Sequence, residues 1–161
     1  MQAGQNRYEI MSLRGLDELA RLLGFLELAD SWTSPALSER TSLGSFAEKI
    51  LCNGVAAMAV TSDSIDIGLA AFYCNDKLNR NAFLTHLAVH PSWRGHRIGF
   101  ELVQYAKTLS KSAGMTSMLL EVYQTNHSAR RFYKSCGFLE TSESHDSHRG
   151  GGSIYMSCSL E

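Results

Sequence analysis

The residues of this chain best suited to chemistry fall in two short stretches. The first runs Pro91-Ser92-Trp93-Arg94-Gly95-His96-Arg97-Ile98-Gly99 and lies between a β-prone run and a helical pattern. The first amides of a helix lack internal acceptors and carry the positive end of its dipole, so a turn placed there suits a phosphate or diphosphate. Gly95 and Gly99 permit close backbone approach, while Arg94, His96 and Arg97 concentrate positive charge. A solvated basic turn that merely caps a helix would have the same composition. The stretch is neither a Walker-type phosphate loop nor a Gly-x-Gly-x-x-Gly fingerprint, which argues against nucleotide hydrolysis and NAD binding. The second stretch is Leu119 to Phe138. Asn126 reads as a helix N-cap and Gly137 as its terminator, and between them Ala129, Phe132, Tyr133 and Cys136 recur at helical spacing. Tyr133 therefore sits on an apolar face with a hydroxyl that must find a partner. It reads either as a tyrosine at the edge of a core or as a proton donor, since a phenol with a pKa near 10 stays protonated at neutral pH.

The elements that must position these residues follow from periodicity. Arg7 to Leu13 reads as a strand, and Asp17 to Ala29 as a helix in which Leu19, Leu22, Leu23 and Leu26 recur, with Asp17 as its cap. Asp30 to Thr41 reads as a loop, and Ser42 to Cys52 as a second helix ended by Asn53 and Gly54. Val55 to Thr61, Ile65 to Tyr73 and Ala82 to His90 are β-prone runs joined by polar turns, which predicts antiparallel pairing. A helix from Ile98 to Ala113 stops at Gly114, and a strand from Met118 to Tyr123 and a helix from His127 to Cys136 follow. Phe138 to Thr141 and Ser153 to Ser159 close the chain as strands, and the Ser, His, Asp and Gly content of Ser142 to Gly152 reads as a mobile loop. The order is mixed α/β.

Composition narrows the class. The chain has 161 residues, 44% of them hydrophobic, which fits one domain over 1–161 with a real core. Fifteen Lys and Arg against sixteen Asp and Glu leave no global charge to drive binding to nucleic acid or an anionic membrane. The apolar runs are too short to span a bilayer and no secretion signal opens the chain, so a cytoplasmic protein is expected. Cys52, Cys74, Cys136 and Cys158 lie far apart and read as free thiols, and no metal is expected. His145 and His148 have the spacing of a metal pair but lack a third ligand.

Taken together, Arg94 to Gly99 and the later Asn126, Ala129, Phe132, Tyr133, Gly137 and Phe138 resemble the GNAT N-acetyltransferases. The family's phosphate loop reads Gln/Arg-x-x-Gly-x-Gly/Ala; Arg94 matches its first position and Gly99 its last, whereas Arg97 replaces the middle glycine. The resemblance implies the GNAT fold, a mixed and mostly antiparallel sheet of about six to seven strands with a splayed parallel pair, flanked by about four helices. It also implies acetyl-CoA as co-substrate. Its diphosphate would meet Arg94, Gly95, His96, Arg97, Ile98 and Gly99, with the Arg97 guanidinium able to reach a phosphate. Its pantetheine and acetyl carbonyl would meet the amides of Leu87, Ala88 and Val89 in the splay, and Asn126, Ala129 and Tyr133 would border the thiol end.

Transfer to an amine needs a base and a proton for the departing thiolate. By the resemblance Tyr133 is the proton donor and Glu121 the base; a strand glutamate in a salt bridge is the alternative for Glu121, and His86 is a competing base. His86 alternates with Leu87 along one strand, so the two face opposite sides of the sheet. His90 and His127 read as positional. The expected acceptor is a primary amine of a small molecule, attacked directly in a ternary complex. Leu119 to Val122 also resembles the matching strand of protein N-terminal acetyltransferases, and a non-catalytic acyl-CoA sensor is a further reading. Trp32, Phe46 and the 142–152 segment lie where such enzymes choose acceptors, and family members are often homodimers.

Overall fold

The computed structural model of the chain describes residues 8–145 and 152–161. Its strands are β1 (Tyr8–Leu13), β2 (Val55–Thr61), β3 (Asp66–Asp76), β4 (Asn81–Val89), β5 (Ser117–Tyr123), β6 (Leu139–His145) and β7 (Ser153–Ser159). Its helices are α1 (Leu19–Ala29), α2 (Leu43–Asn53), α3 (Ile98–Ser112) and α4 (His127–Ser135). The strands form one sheet in the order β1-β2-β3-β4-β5-β7-β6. Every neighbouring pair is antiparallel except β4 with β5. This is the mixed α/β architecture expected, including the parallel pair.

The sheet is buried on both faces, so its central strands are apolar throughout rather than alternating. Ala57, Ala59, Ala70, Phe72, Leu84 and Leu120 lie on the face covered by α3, with Leu102, Val103 and Ala106 packed onto them. Ala56, Met58, Leu69 and Ala71 lie on the other face, under Leu22, Leu26, Ala47 and Ile50 of α1 and α2. Gly68 of β3 lets α3 approach closely, because a Cβ there would stand 3.0 Å from Cδ1 of Leu102.

Local chemistry sets the ends of the helices. The side chain of Ser42 accepts from the Ser45 amide at 3.3 Å and starts α2, and the Asn126 side chain accepts from the Ala129 amide at 3.1 Å and starts α4. Gly114 and Gly137 leave α3 and α4 with φ of 89° and 93°, a region open to glycine without strain. Several boundaries differ from the sequence reading, among them the end of β3, which runs on from the expected Tyr73 to Asp76. Asp17 does not cap α1: it lies inside a single 3-10 turn over Leu16–Glu18, so Glu18 holds the cap position and α1 begins at Leu19. The last loop is shorter than expected, because β6 runs on to His145 through backbone pairing of Ser144 and His145 with Ile154 and Ser153 of β7. Two further 3-10 turns, Asp30–Trp32 and Leu37–Glu39, give shape to the segment expected as loop between α1 and α2. Arg7, His148 and the rest of 146–151 lie outside the described residues.

Candidate active site

The parallel pair comes apart where β4 is irregular. Asn81–Leu84 pair with Ser117–Leu120, and the pairing stops there although β4 continues to Val89 and β5 to Tyr123. On the other edge of β4 the register jumps: Leu84 faces Phe72 and His86 faces Ala71, which leaves Thr85 as an extra residue. A bulge of this kind bends its strand and increases local twist, and here it carries β4 away from β5. It also reverses the faces. Leu84 lies on the α3 side, whereas His86 packs its ring against Phe46 of α2 with centroids 6.0 Å apart. Leu87 and Val89 turn back to the α3 side.

The His90 amide donates to the Ile67 carbonyl at 2.8 Å, and the antiparallel ladder alternates from that bond. The backbone of Ala88 is thereby directed to β3, and those of Leu87 and Val89 to the opening. The three residues expected to line the cofactor are adjacent, but only Leu87 and Val89 can offer amides to it. A cleft of about 1250 Å³ occupies the opening and extends to both sides of the sheet.

The basic turn stands at one end of this cleft. His90 Nδ1 accepts from the Ser92 amide at 3.1 Å and closes a short 3-10 turn over Pro91–Trp93, a positional part as expected. The first bond of α3 runs from the Glu101 amide to the Arg97 carbonyl at 2.9 Å. The amides of Gly95, His96, Arg97, Ile98, Gly99 and Phe100 have no acceptor among the described residues. Arg97, where the family's pattern has glycine, takes the left-handed conformation (φ 64°) that favours glycine, at a strain of roughly 1–2 kcal/mol for a residue with a Cβ. The guanidinium of Arg97 stacks on the Phe100 ring, 4.9 Å from its centroid.

Arg94 and Gly99 do work that the sequence does not reveal. Arg94 Nη2 donates to the Trp32 carbonyl at 3.0 Å and Nε to the Val89 carbonyl at 3.3 Å, so this side chain ties the turn to the α1–α2 connection. A Cβ on Gly99 would stand 3.3 Å from Cζ of Phe132, so this glycine seats α3 against α4. His96 Nδ1 lies 3.2 Å from the carbonyls of both Trp93 and Arg94.

Tyr133 lines the cleft on the α3 side, its ring edge-on to Phe132 and Phe138 at 5.2 and 5.8 Å. Burial, with a smaller contribution from the nearby Cys136 thiol, pushes its pKa well above the usual 10. The hydroxyl has no hydrogen-bond partner among the described residues. It is a protonated donor aimed at an open space. Asn126 and Ala129 line the same wall, but the Ala129 amide is taken by the Asn126 cap, which leaves its methyl group to face the cleft.

On the opposite face of the sheet stand the two candidate bases. Met118, Leu120 and Val122 of β5 point to the α3 side, so Glu121 between them points to the α1–α2 side, the side of His86. Facing alone therefore does not separate the two. The Ser153 hydroxyl donates to Oε1 of Glu121. His86 is 9% exposed and its pKa is lowered to about 4, first by burial and then by the Arg40 cation, against a smaller opposing effect of Asp30. It is a neutral imidazole at pH 7. His127 is exposed, 3.5 Å from Arg130 Nη1 and away from this face. Thr33 and Arg40 also line the cleft. Nothing in their local pattern marks them, because irregular turns with no period to read bring them there.

Among the described residues no three His, Cys, Asp or Glu side chains converge as a metal site, and no helix is long and apolar enough to cross a membrane. No curated protein matches the chain. Solved structures do. A protein of Desulfovibrio desulfuricans assigned to the GNAT acetyltransferases superposes with a TM-score of 0.79 at 16% identity, covering 96% of this chain and 100% of the other. The ribosomal-protein-S18-alanine N-acetyltransferase of Escherichia coli gives 0.72 at 18% identity over 96% and 95% of the two chains. A Salmonella typhimurium protein assigned as an acetyltransferase, solved with its cofactor acetyl-CoA, gives 0.72 at 17% over 96% and 95%. At such identities these likenesses show the shared fold. The profile of the acetyltransferase (GNAT) family matches residues 21–138. With the splayed pair and the unpaired amides at the head of α3 already in place, that match over most of the sequence means that the chain belongs to the acetyltransferase (GNAT) family.

Proposed function

We propose that the protein is an acetyl-CoA-dependent N-acetyltransferase that moves an acetyl group to a primary amine of a small molecule, by direct attack in a ternary complex. The observation that carries this reading is the run of six amides, from Gly95 to Phe100, with no acceptor among the described residues at the mouth of a cleft between two parted strands. Free amides at a helix start favour a diphosphate, and one cleft is lined both by the turn (Arg94, Gly95, Arg97) and by the splay (Leu87, Val89, Glu121), which supports an extended arm running between them. Bound acetyl-CoA supplies a thioester carbon open to attack by an amine.

The residues divide the remaining work by face. Leu87 and Val89 direct amides into the splay, where they stabilise the oxygen that gains charge as the amine adds. Tyr133, on the α3 side, gives its proton or a hydrogen bond to the departing sulfur. Glu121, on the α1–α2 side and oriented by Ser153, receives the proton that the amine loses. His86 stands beside it as a neutral hydrogen-bonding wall of the acceptor arm.

Thiol release from acetyl-CoA across a panel of amines tests this reading, together with calorimetric titration of CoA. The expected result is CoA binding and amine-dependent release that falls in Tyr133→Phe. CoA binding with no amine-dependent release would replace the enzyme by an acyl-CoA sensor, and no heat with CoA at millimolar concentration would overturn the reading altogether.

A further inference from the structure

The acceptor arm of the cleft carries opposite charges. Because the bulge at Thr85 turns His86 to the α1–α2 face and alternation turns Glu121 the same way, the acceptor meets the splay from that face. The arm is walled by the 32–35 segment and by Arg40. Of the ionised side chains that line the cleft, Arg94 and Arg97 belong to the basic turn. Among the described residues this leaves Glu121 beside the splay and Arg40 on the outer wall.

Burial keeps the His86 imidazole neutral, and the Arg40 cation, near enough to act on it, adds to that effect. The other charge acting on His86 is Asp30, whose carboxylate accepts from the Ser38 amide at 2.9 Å and the Ser38 hydroxyl at 2.5 Å and is not part of the lining. On the same wall Thr33 Oγ1 is buried with no hydrogen-bond partner among the described residues. A buried hydroxyl left without a partner is costly, and a ligand oxygen beside it would remove that cost.

Resting on the acetyltransferase reading above, we infer that the acceptor carries a carboxylate as well as its amine, a free amino acid being the simplest such molecule. The amine is held at Glu121 and His86, facing the splay. The carboxylate lies against Arg40 and Thr33 Oγ1. An arginine presents five donors in a planar fork, so Arg40 can hold a protein group and a substrate carboxylate together. The acceptor's amine and carboxylate then match the two opposite charges, Glu121 and Arg40, that line the arm.

Thiol-release kinetics with the common free amino acids, their methyl esters, short peptides and amines without a carboxyl group provide the test, in wild type, Arg40→Gln and Arg40→Lys. At least one free amino acid should exceed its own methyl ester in kcat/KM by roughly 30-fold or more, the usual effect of removing one partner of a desolvated charge pair. That gap should close in Arg40→Gln and persist in part in Arg40→Lys, with the thermal shift produced by CoA retained in both. If Arg40→Gln fails to fold, the ester comparison in wild type and the Arg40→Lys variant decide. Esters, peptides or carboxyl-free amines that serve as well as free amino acids, or a gap that survives Arg40→Gln, would overturn the inference and leave acetyl transfer standing. Absence of release with every amine class would remove the acetyltransferase reading, and this inference with it.

Discussion

Tyr133→Phe separates catalysis from stability at one atom. The substitution removes a hydroxyl that has no protein partner among the described residues and keeps a ring packed against Phe132 and Phe138. The hydroxyl opens on the cleft, where water can serve it in the free protein, so its removal should leave stability unchanged to within about 0.5 kcal/mol. Catalysis should change far more. A positioned general acid contributes about 10²- to 10⁴-fold, so kcat should fall by that factor while the calorimetric affinity for CoA holds. Burial keeps the phenol protonated beyond its usual range, so kcat in the wild type should show no decline from this group as pH rises through 10. The assay is thiol release over a pH series beside thermal unfolding of both proteins. A variant with full activity, or one that loses activity only in proportion to a lowered Tm, would refute the assignment and make Tyr133 a core residue.

Three further outcomes follow from the geometry. The His86 pKa is lowered from 6.5 to about 4, so the unfolded chain binds the extra proton first; stability is fully present above pH 6.5 and is lost as pH falls towards 4, by about 3 kcal/mol in all. Denaturant midpoints from pH 7 to 4 should show this slope, and His86→Gln should flatten it. Gly68→Ala should cost about 1–3 kcal/mol by pressing on Leu102 and Ile98, and less in a Leu102→Ala background, where only the Ile98 contact stays tight, a non-additivity that a denaturant double-mutant cycle measures. Arg94→Gln should raise both the KM for the amine and the calorimetric Kd for CoA several-fold, since its guanidinium holds the Trp32 and Val89 carbonyls and so seats the basic turn.

The arrangement has a physical economy. One irregular residue, Thr85, accompanies the parting of the parallel strands and turns the residues after it, so that Leu87 and Val89 face the α3 side and His86 the other. On the proposed reading the cofactor would then lie towards one face and the acceptor towards the other, with the reacting atoms meeting in the splay. Arg94 spans the same divide from the outside, which couples the seating of the basic turn to the wall near Trp32.

Local chemistry was enough to locate what depends on near neighbours in the chain. The Asn126 cap, the glycine stops at Gly114 and Gly137, the apolar stripe of α3 and the amide-bearing turn all rest on interactions within a few residues, where spacing is a direct record of geometry. Asp17 misled because a capping side chain acts only from the half-turn before a helix, and a 3-10 turn displaced it. The rest required the folded chain. A bulge is a mismatch between two strands and has no signature in either one alone, so neither the reversal at His86 nor the shared face of His86 and Glu121 could be read from alternation. Thr33 and Arg40 reach the cleft through turns without period, and Arg94 acts on a carbonyl 62 residues away in sequence. Secondary structure was written locally; which groups share a face of the cleft was decided by strand register and long-range packing.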